Sequence, residues 1–370
     1  MGTGGLFLHL IRLFVGFVFV FSGFVKAVDP KGTVYKIEDY LTAFGGFFEN
    51  LVMLAFPAAM LLILIEVLIG LMLLFQVRFV LTAWVTFAFM MIVTPLTLYI
   101  ALNNPVTDCG CFGDALLLTN WQTFSKNVVF LLMTIVLLIW QKKFSSIYLI
   151  VIEWVMVGFF AVAGIAFMIY NLNHEPILDF RPYKKGTNII EAMKIPEGAK
   201  TDSTIVKFVY EKGGVKKVFE LTNLPDSTWK FVDQQTEVIR KGYVPPIHDF
   251  VILSTTFDDV TQEILNYEGK TCLIVIPDLN ETSEKGMMKI SSLIQEVKDK
   301  SFRVFALTSS PNDDIPVFKN RYKLDVTFFK MDKITLKTMM RSSPGVMYLD
   351  NGTIKGKWHW SDYRVRERKD

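Results

Sequence analysis

Two of the chain's three cysteines stand one glycine apart, in Asp108-Cys109-Gly110-Cys111-Phe112-Gly113-Asp114. Two residues of chain carry Cα atoms at most about 7 Å apart, and less in a turn. A disulfide asks for roughly 4.4–6.8 Å, so a turned Cys-Gly-Cys can close a small ring. Gly110 tolerates the positive φ that such a turn calls for. A ring of that size is expected to be strained and easily reduced, which is the property of an exchanging pair. Cys109 and Cys111 are therefore the candidate catalytic residues, for thiol–disulfide exchange. The same stretch admits a non-exchanging disulfide, or two reduced thiols in a packed re-entrant loop. With no histidine nearby the pair lacks the four ligands of a zinc site, and no metal is expected.

The elements that must position this loop are apolar. The 370 residues are 51% hydrophobic, and the charges are unevenly spread. Residues 1–170 hold eight of the 39 Lys and Arg and eight of the 36 Asp and Glu. The first part is thus charge-poor, and the rest has the composition of a water-soluble domain. A net charge of +3 with no basic stripe gives no reason to expect nucleic acid. Five runs, near 6–28, 51–75, 79–102, 121–140 and 147–170, reach the roughly 20 apolar residues that a bilayer crossing takes. The first has no good small-x-small cleavage site in Phe24–Pro30 and reads as a retained anchor.

Orientation follows from the short loops. The turns holding Arg78 and Lys142/Lys143 carry only positive charge, whereas 103–120 holds Asp108 and Asp114 and no Lys or Arg. The positive-inside rule then puts the N-terminus in the cytoplasm and the cysteine loop outside, with the soluble part beside it. The stretch 29–50 reads as a loop; its Lys31 and Lys36 go mildly against this orientation. Outside is the oxidising face in bacteria. Lys26 and Lys126 fall near the outer ends of spans one and four, where snorkelling accounts for both. As cations near the loop they favour thiolate, and Asp108 and Asp114 oppose it.

Ionisable groups inside spans are costly and informative. Arg12 sits about 9 Å into its span and Glu66 about 14 Å from the cytoplasmic end of span two, by the helical rise. They are expected to pair, with Glu153 as competitor, either as a structural brace or as a proton or quinone-headgroup site.

Arg12, Ser22, Gly23 and Lys26 in the first span resemble the opening of DoxX-like membrane proteins. The Asp108–Asp114 loop between spans three and four resembles MauE, a branch linked to maturation of a disulfide-rich periplasmic enzyme subunit. The resemblance covers residues 6–140 and implies a thiol–disulfide or quinone-linked redox role. The whole chain is similar to a Bacteroidetes family that joins such a module to a thioredoxin-like tail.

Residues 171–183 read as an irregular linker. The runs 204–210 and 215–221 alternate on either side of Lys212-Gly213-Gly214 and predict a hairpin. Residues 228–233 and 236–242 predict two further short strands, and Val244-Pro245-Pro246 marks a boundary. Beyond it, 248–253 suits a strand, and the apolar run 272–277 suits a buried central strand. A helix capped by Thr282 or Ser283 is expected next, then a strand near 302–308. Helices at 311–323 and 332–342 are expected to flank a strand near 326–330. Two final strands join through Asp350-Asn351-Gly352-Thr353. That βαβαβαββ order argues for a mixed sheet with helices on its faces.

This part resembles the thioredoxin and peroxiredoxin superfamily. By that resemblance Ser343 and Pro344 form the cis-proline loop. The family's Cys-x-x-Cys should open the helix after 272–277, where this chain has Asp278–Met287 and no cysteine. Cys272, at the other end of the strand, reads as a buried apolar thiol. His359, between Trp358 and Trp360, reads as a packed aromatic edge.

The expected architecture is a five-helix membrane bundle (1–170), a linker with a small β-rich unit (171–246) and an extracytoplasmic thioredoxin-like domain lacking Cys-x-x-Cys (247–370). The expected function is disulfide exchange at Cys109 and Cys111 in a bacterial inner membrane. Electrons would pass to a quinone, and the tail would bind or position an extracytoplasmic client. The alternative is a non-enzymatic scaffold whose cysteines staple a loop.

Overall fold

A computed structural model describes residues 3–106, 110–199, 203–212, 214–220, 223–226, 228–240, 242–299 and 302–362. Cys109 and Asp108 lie outside the described residues. Among the described residues five helical segments, Gly5–Val28, Phe48–Phe75, Phe79–Asn103, Asn120–Ile139 and Ile150–Asn173, are long and apolar enough to cross a membrane. The helices in them are α1 (Thr3–Val28), α3 (Ala55–Phe75), α4 (Phe79–Asn103), α5 (Asn120–Ile139) and α6 (Ile150–Asn173).

The stretch read as a loop before the second span holds another helix, α2 (Pro30–Phe44). Its start follows the rules for an N-terminus: the Asp29 side chain accepts from the Gly32 amide, and Pro30 takes the first helical turn. The α3–α4 turn is tight, with Gln76 and Arg78 both at positive φ. A capping box of Thr119 and Gln122 opens α5.

The α1–α3 contact sets the register of everything that follows. A β-carbon at Gly70 would lie 2.5 Å from the Val20 amide nitrogen. One at Gly23 would lie 2.8 Å from that of Val67. Small residues let the two backbones meet, as packing inside a bilayer favours.

Outside the bundle, β1 (Ser203–Lys212), β2 (Val215–Glu220) and β3 (Lys230–Arg240) form an antiparallel sheet in the order β2-β1-β3. The two short strands expected at 228–242 are this one strand, β3. Short helices α7 (Ile189–Met193) and α8 (Thr261–Leu265) precede the second sheet. That sheet follows the expected βαβαβαββ order. It is built of β4 (Lys270–Val275), α9 (Glu284–Asp299), β5 (Arg303–Thr308), α10 (Asp314–Tyr322), β6 (Thr327–Lys330), α11 (Lys333–Met339), β7 (Gly345–Asp350) and β8 (Thr353–His359). Its strand order is β6-β5-β4-β7-β8, parallel from β4 to β6 and antiparallel through β7 and β8. The β7–β8 turn holds Asn351 and Gly352 at positive φ, as a two-residue hairpin turn requires.

Alternation along β4 sends Cys272 and Ile274 to one core and Leu273 and Val275 to the other. The expected strand at 248–253 is not formed. Only Leu253 makes bridges, while Phe250 and Ile252 are buried in the core without a ladder. Tyr183 and Ile189, from the stretch read as linker, are buried in that same core.

Candidate functional site

The site begins on one face of α1. Ser22 and Lys26 are four residues apart and therefore stacked. Lys26 is 6% exposed, and its ammonium donates to both Glu66 carboxylate oxygens, at 2.8 and 2.7 Å, and to Ser22 Oγ at 2.9 Å. Ser22 Oγ lies 2.9 Å from Glu66 Oε2 and 2.8 Å from the backbone oxygen of Cys111. A hydroxyl has one proton, so Ser22 donates to one of these acceptors at a time. The buried ion pair between the first two spans is thus one hydroxyl away from the cysteine loop.

This differs from the expected Arg12–Glu66 pair and from a snorkelling Lys26. The reason is register. With Gly23 against Val67 and Gly16 against Leu73 and Leu74, Glu66 lies level with residues 22–26. Arg12 lies level with the end of α3, where it donates to the carbonyls of Leu73 and Leu74, the latter at 2.9 Å. Those are among the last carbonyls of a helix, which lack intrahelical partners and carry the negative end of its dipole. Glu153 is also elsewhere. It accepts from Ser146 Oγ at 2.9 Å and from the Arg78 amide at 3.3 Å, at the α3–α4 turn.

Gly110 takes φ +59°, and the Lys36 side chain lies so close that a β-carbon there would be 2.9 Å from it. Lys126 reaches the loop from α5, its Nζ 4.5 Å from the centre of the Phe112 ring. Asp114 lies 3.6 Å from Arg341 Nη2, and Arg341 belongs to the domain built on β4 to β8, the outer domain in the sense that it lies outside the helical bundle. The same guanidinium grips Asp29 at 2.7–2.9 Å. Burial alone would raise the Asp29 carboxyl; Arg341 overrides it and holds the pKa at about 2. Around this pin, Lys31 Nζ donates to the Arg341 carbonyl, and Lys337 lies 3.6 Å from Glu38 and over the Tyr35 ring. The Arg341 amide donates to Glu175, which together with Asp179 also holds the buried Arg181 of the linker.

A cavity of about 660 Å³ lies between bundle and outer domain. Lys26, Glu66, Cys111 and Asp114 line its polar side. Leu62 of α3 with Phe89, Val93 and Leu96 of α4 line an apolar side, and Arg341 and Ile334 also belong to the lining.

The Ser343–Pro344 bond is cis. Ser343 lies at the start of α9: its carbonyl accepts from the Ser283 amide at 3.0 Å, and its Oγ is 3.1 Å from Thr282 Oγ1. Pro344 is buried, packed with Trp360 so closely against Gly286 that a β-carbon there would be 2.7 Å from the proline ring. Cys272 is fully buried, and burial pushes its thiol pKa up. Among the described residues no group of three or more His, Cys, Asp and Glu side chains could hold a metal ion.

Of the residues singled out in the sequence, Cys111, Lys26, Glu66 and Asp114 come together, Lys126 flanks them, and Arg12, Glu153, Ser343 and Pro344 do not join. Sequence reasoning missed Asp29 and Arg341 and gave Ser22 no role. An Asp-Pro helix start signals Asp29, and the i,i+4 spacing to Lys26 signals Ser22. Nothing local marks Arg341, whose ion-pair partners Asp29 and Asp114 are more than 200 residues away in the chain.

Residues 5–141 match a family model described as Methylamine utilisation protein MauE. Residues 204–241, essentially β1 to β3, match a domain of unknown function, DUF8463. A comparison with curated protein sequences found no match. The first match takes in α1 to α5 and the whole cysteine loop, so the helical part of the site lies within a MauE-like membrane module.

Proposed function

We propose that this chain is a thiol–disulfide oxidoreductase of the bacterial inner membrane, passing electrons from an extracytoplasmic client to a lipid-soluble quinone through Cys109 and Cys111. The client's dithiol is oxidised as the Cys109–Cys111 disulfide is reduced. The resulting dithiol then re-forms the disulfide, and its two electrons and two protons reduce the quinone to a quinol. The observation that carries this reading is the cavity, whose lining brings Cys111 together with the apolar Leu62, Phe89, Val93 and Leu96 of two membrane-spanning helices. Its volume lies within the roughly 300–1,000 Å³ usual for small-molecule sites. Its central charges come as pairs, Lys26 with Glu66 and Arg341 with Asp29. A neutral headgroup with carbonyl acceptors suits such a lining better than an ion does.

The outer domain reads as thioredoxin-like without its dithiol, supported by the strand order, the helix after β4 and the cis Ser343–Pro344 bond. Its place above the cysteine loop suits a part that positions a client. The positive turns at Arg78 and Lys142/Lys143 support a cytoplasmic N-terminus and a periplasmic outer domain. The first-span pattern supports a DoxX-like origin for the bundle. A second reading is a scaffold with a stapled loop; the ion-paired closure of the outer domain over that loop favours it.

Acid quenching and alkylation of whole cells separates the two. A Cys111→Ala chain is expected to accumulate mixed disulfides through Cys109. A wild-type pair that is always oxidised, with no mixed species in the variant, rules out exchange.

A further inference from the structure

We propose that Ser22, Lys26 and Glu66 are the proton-handling station of the cavity and tune the Cys111 thiol. The proposal deepens the oxidoreductase reading and rests on it. A buried intramembrane ion pair is either a brace or a functional site. Two observations favour function here. The α1–α3 contact is already closed by glycines at 16, 23 and 70, so the pair is not needed to join the helices. The pair also lines a cavity instead of being sealed in packing.

Ser22 supplies the link. While Glu66 is ionised it can take the Ser22 proton; once Glu66 is protonated, that proton is left for the Cys111 carbonyl. The charge state of Glu66 is thereby tied to the backbone of the thiol residue. Oxidation of the dithiol breaks two S–H bonds and forms one S–S bond, and two protons must leave with the two electrons. In the proposed cycle Glu66 accepts a thiol proton, Ser22 holds the loop beside it through the Cys111 carbonyl, and Lys26 delivers a proton to a carbonyl oxygen of the quinone and recovers it from Glu66. Two such passes balance the reaction. The other charges that face the Cys111 loop are Asp29, Lys36 on α2, Asp114 in the loop, Lys126 on α5 and Arg341 from the outer domain. Of these, Asp29 and Arg341 neutralise each other.

The test uses the full chain in lipid nanodiscs. In a Cys109→Ser background, the alkylation rate of Cys111 against pH gives the thiol midpoint. Glu66→Gln is expected to lower it by about one unit and Lys26→Met to raise it by about as much. With both cysteines present and reduced, thiol loss driven by a short-chain ubiquinone analogue is expected to slow by about tenfold or more in either variant. The swap Lys26→Glu with Glu66→Lys keeps an ion pair and covers the case in which single variants do not fold. A brace predicts wild-type behaviour from the swap, and a proton station predicts slowed thiol loss. Midpoints that stay put in both single variants, or a swap that behaves as wild type in both measurements, overturn the proposal. Wild-type thiols that never respond to the quinone analogue refute the oxidoreductase reading instead. In that event a moved midpoint still supports the coupling of Glu66 to Cys111, and an unmoved one overturns it.

Discussion

The Asp29 carboxylate is 18% exposed and accepts from Arg341 and from the Gly32 amide. Burial would raise its pKa, and the guanidinium more than offsets this, leaving it at about 2 against an ordinary 3.8. A depressed carboxyl contributes stability that is fully present above its unfolded pKa and is lost as pH falls through the folded value. The window is therefore about pH 4 down to about pH 2, and a shift of this size corresponds to roughly 2 kcal/mol. Asp29→Asn is expected to lower stability by that order at pH 7, read by tryptophan fluorescence during thermal unfolding. The gap between wild type and variant should close as the buffer approaches pH 2. A gap that holds constant down to pH 2.5 would exclude this pair as its source. At this scale the sequence was legible wherever chemistry is local. Glycine's tolerance marked the positive φ of Gly110. The partner of Glu66 was not legible, because depth along a span does not say which rung of the neighbouring helix faces it.

Gly70 decides that rung. A β-carbon there would sit 2.5 Å from the Val20 amide nitrogen and 2.9 Å from the Gly16 carbonyl oxygen, so the helices must part to admit any side chain. Gly70→Val is expected to cost about 1–3 kcal/mol, as overpacking does. It should also pull Lys26 away from Glu66. Gly158 on α6 has nothing within 4 Å of a built β-carbon, so Gly158→Val is the control, expected to stay within about 0.5 kcal/mol. Equal melting of the two variants in nanodiscs would refute the close-contact argument. Elements were legible by their periods. Long apolar runs gave the spans within a few residues, and short apolar runs between turn signals gave β4 to β8. The misses have physical causes. α2 carries charge and follows a span without a gap, so it passed for a loop until its Asp29-Pro30 start is weighed. Residues 248–253 have a strand's composition, but Phe250 and Ile252 are buried from an irregular backbone because the sheet edge beside them is only bridged.

The outer domain closes the cavity through few groups, with Arg341 at their centre. Its guanidinium touches Asp29 and Asp114, and its carbonyl holds Lys31. Removing one partner of a buried pair leaves the other charge uncompensated, at about 3–5 kcal/mol. Arg341→Ala is therefore expected to loosen the domain from the bundle without unfolding either. The readout is labelling of Cys111 by a membrane-impermeant maleimide in a Cys109→Ser chain. Cys272 stays silent there, being fully buried with a thiol pKa raised by that burial. Labelling should quicken several-fold in Arg341→Ala and less in Arg341→Lys, which keeps the charge but not the forked geometry. A small permeant reagent should show a weaker dependence, since its size lets it pass a narrower opening. Equal impermeant labelling in all three chains would mean that the domain does not control access to the loop. Labelling that occurs only after the cells are broken open would reverse the proposed orientation, because Cys111 and the outer domain share one side of the bundle and must be reached together.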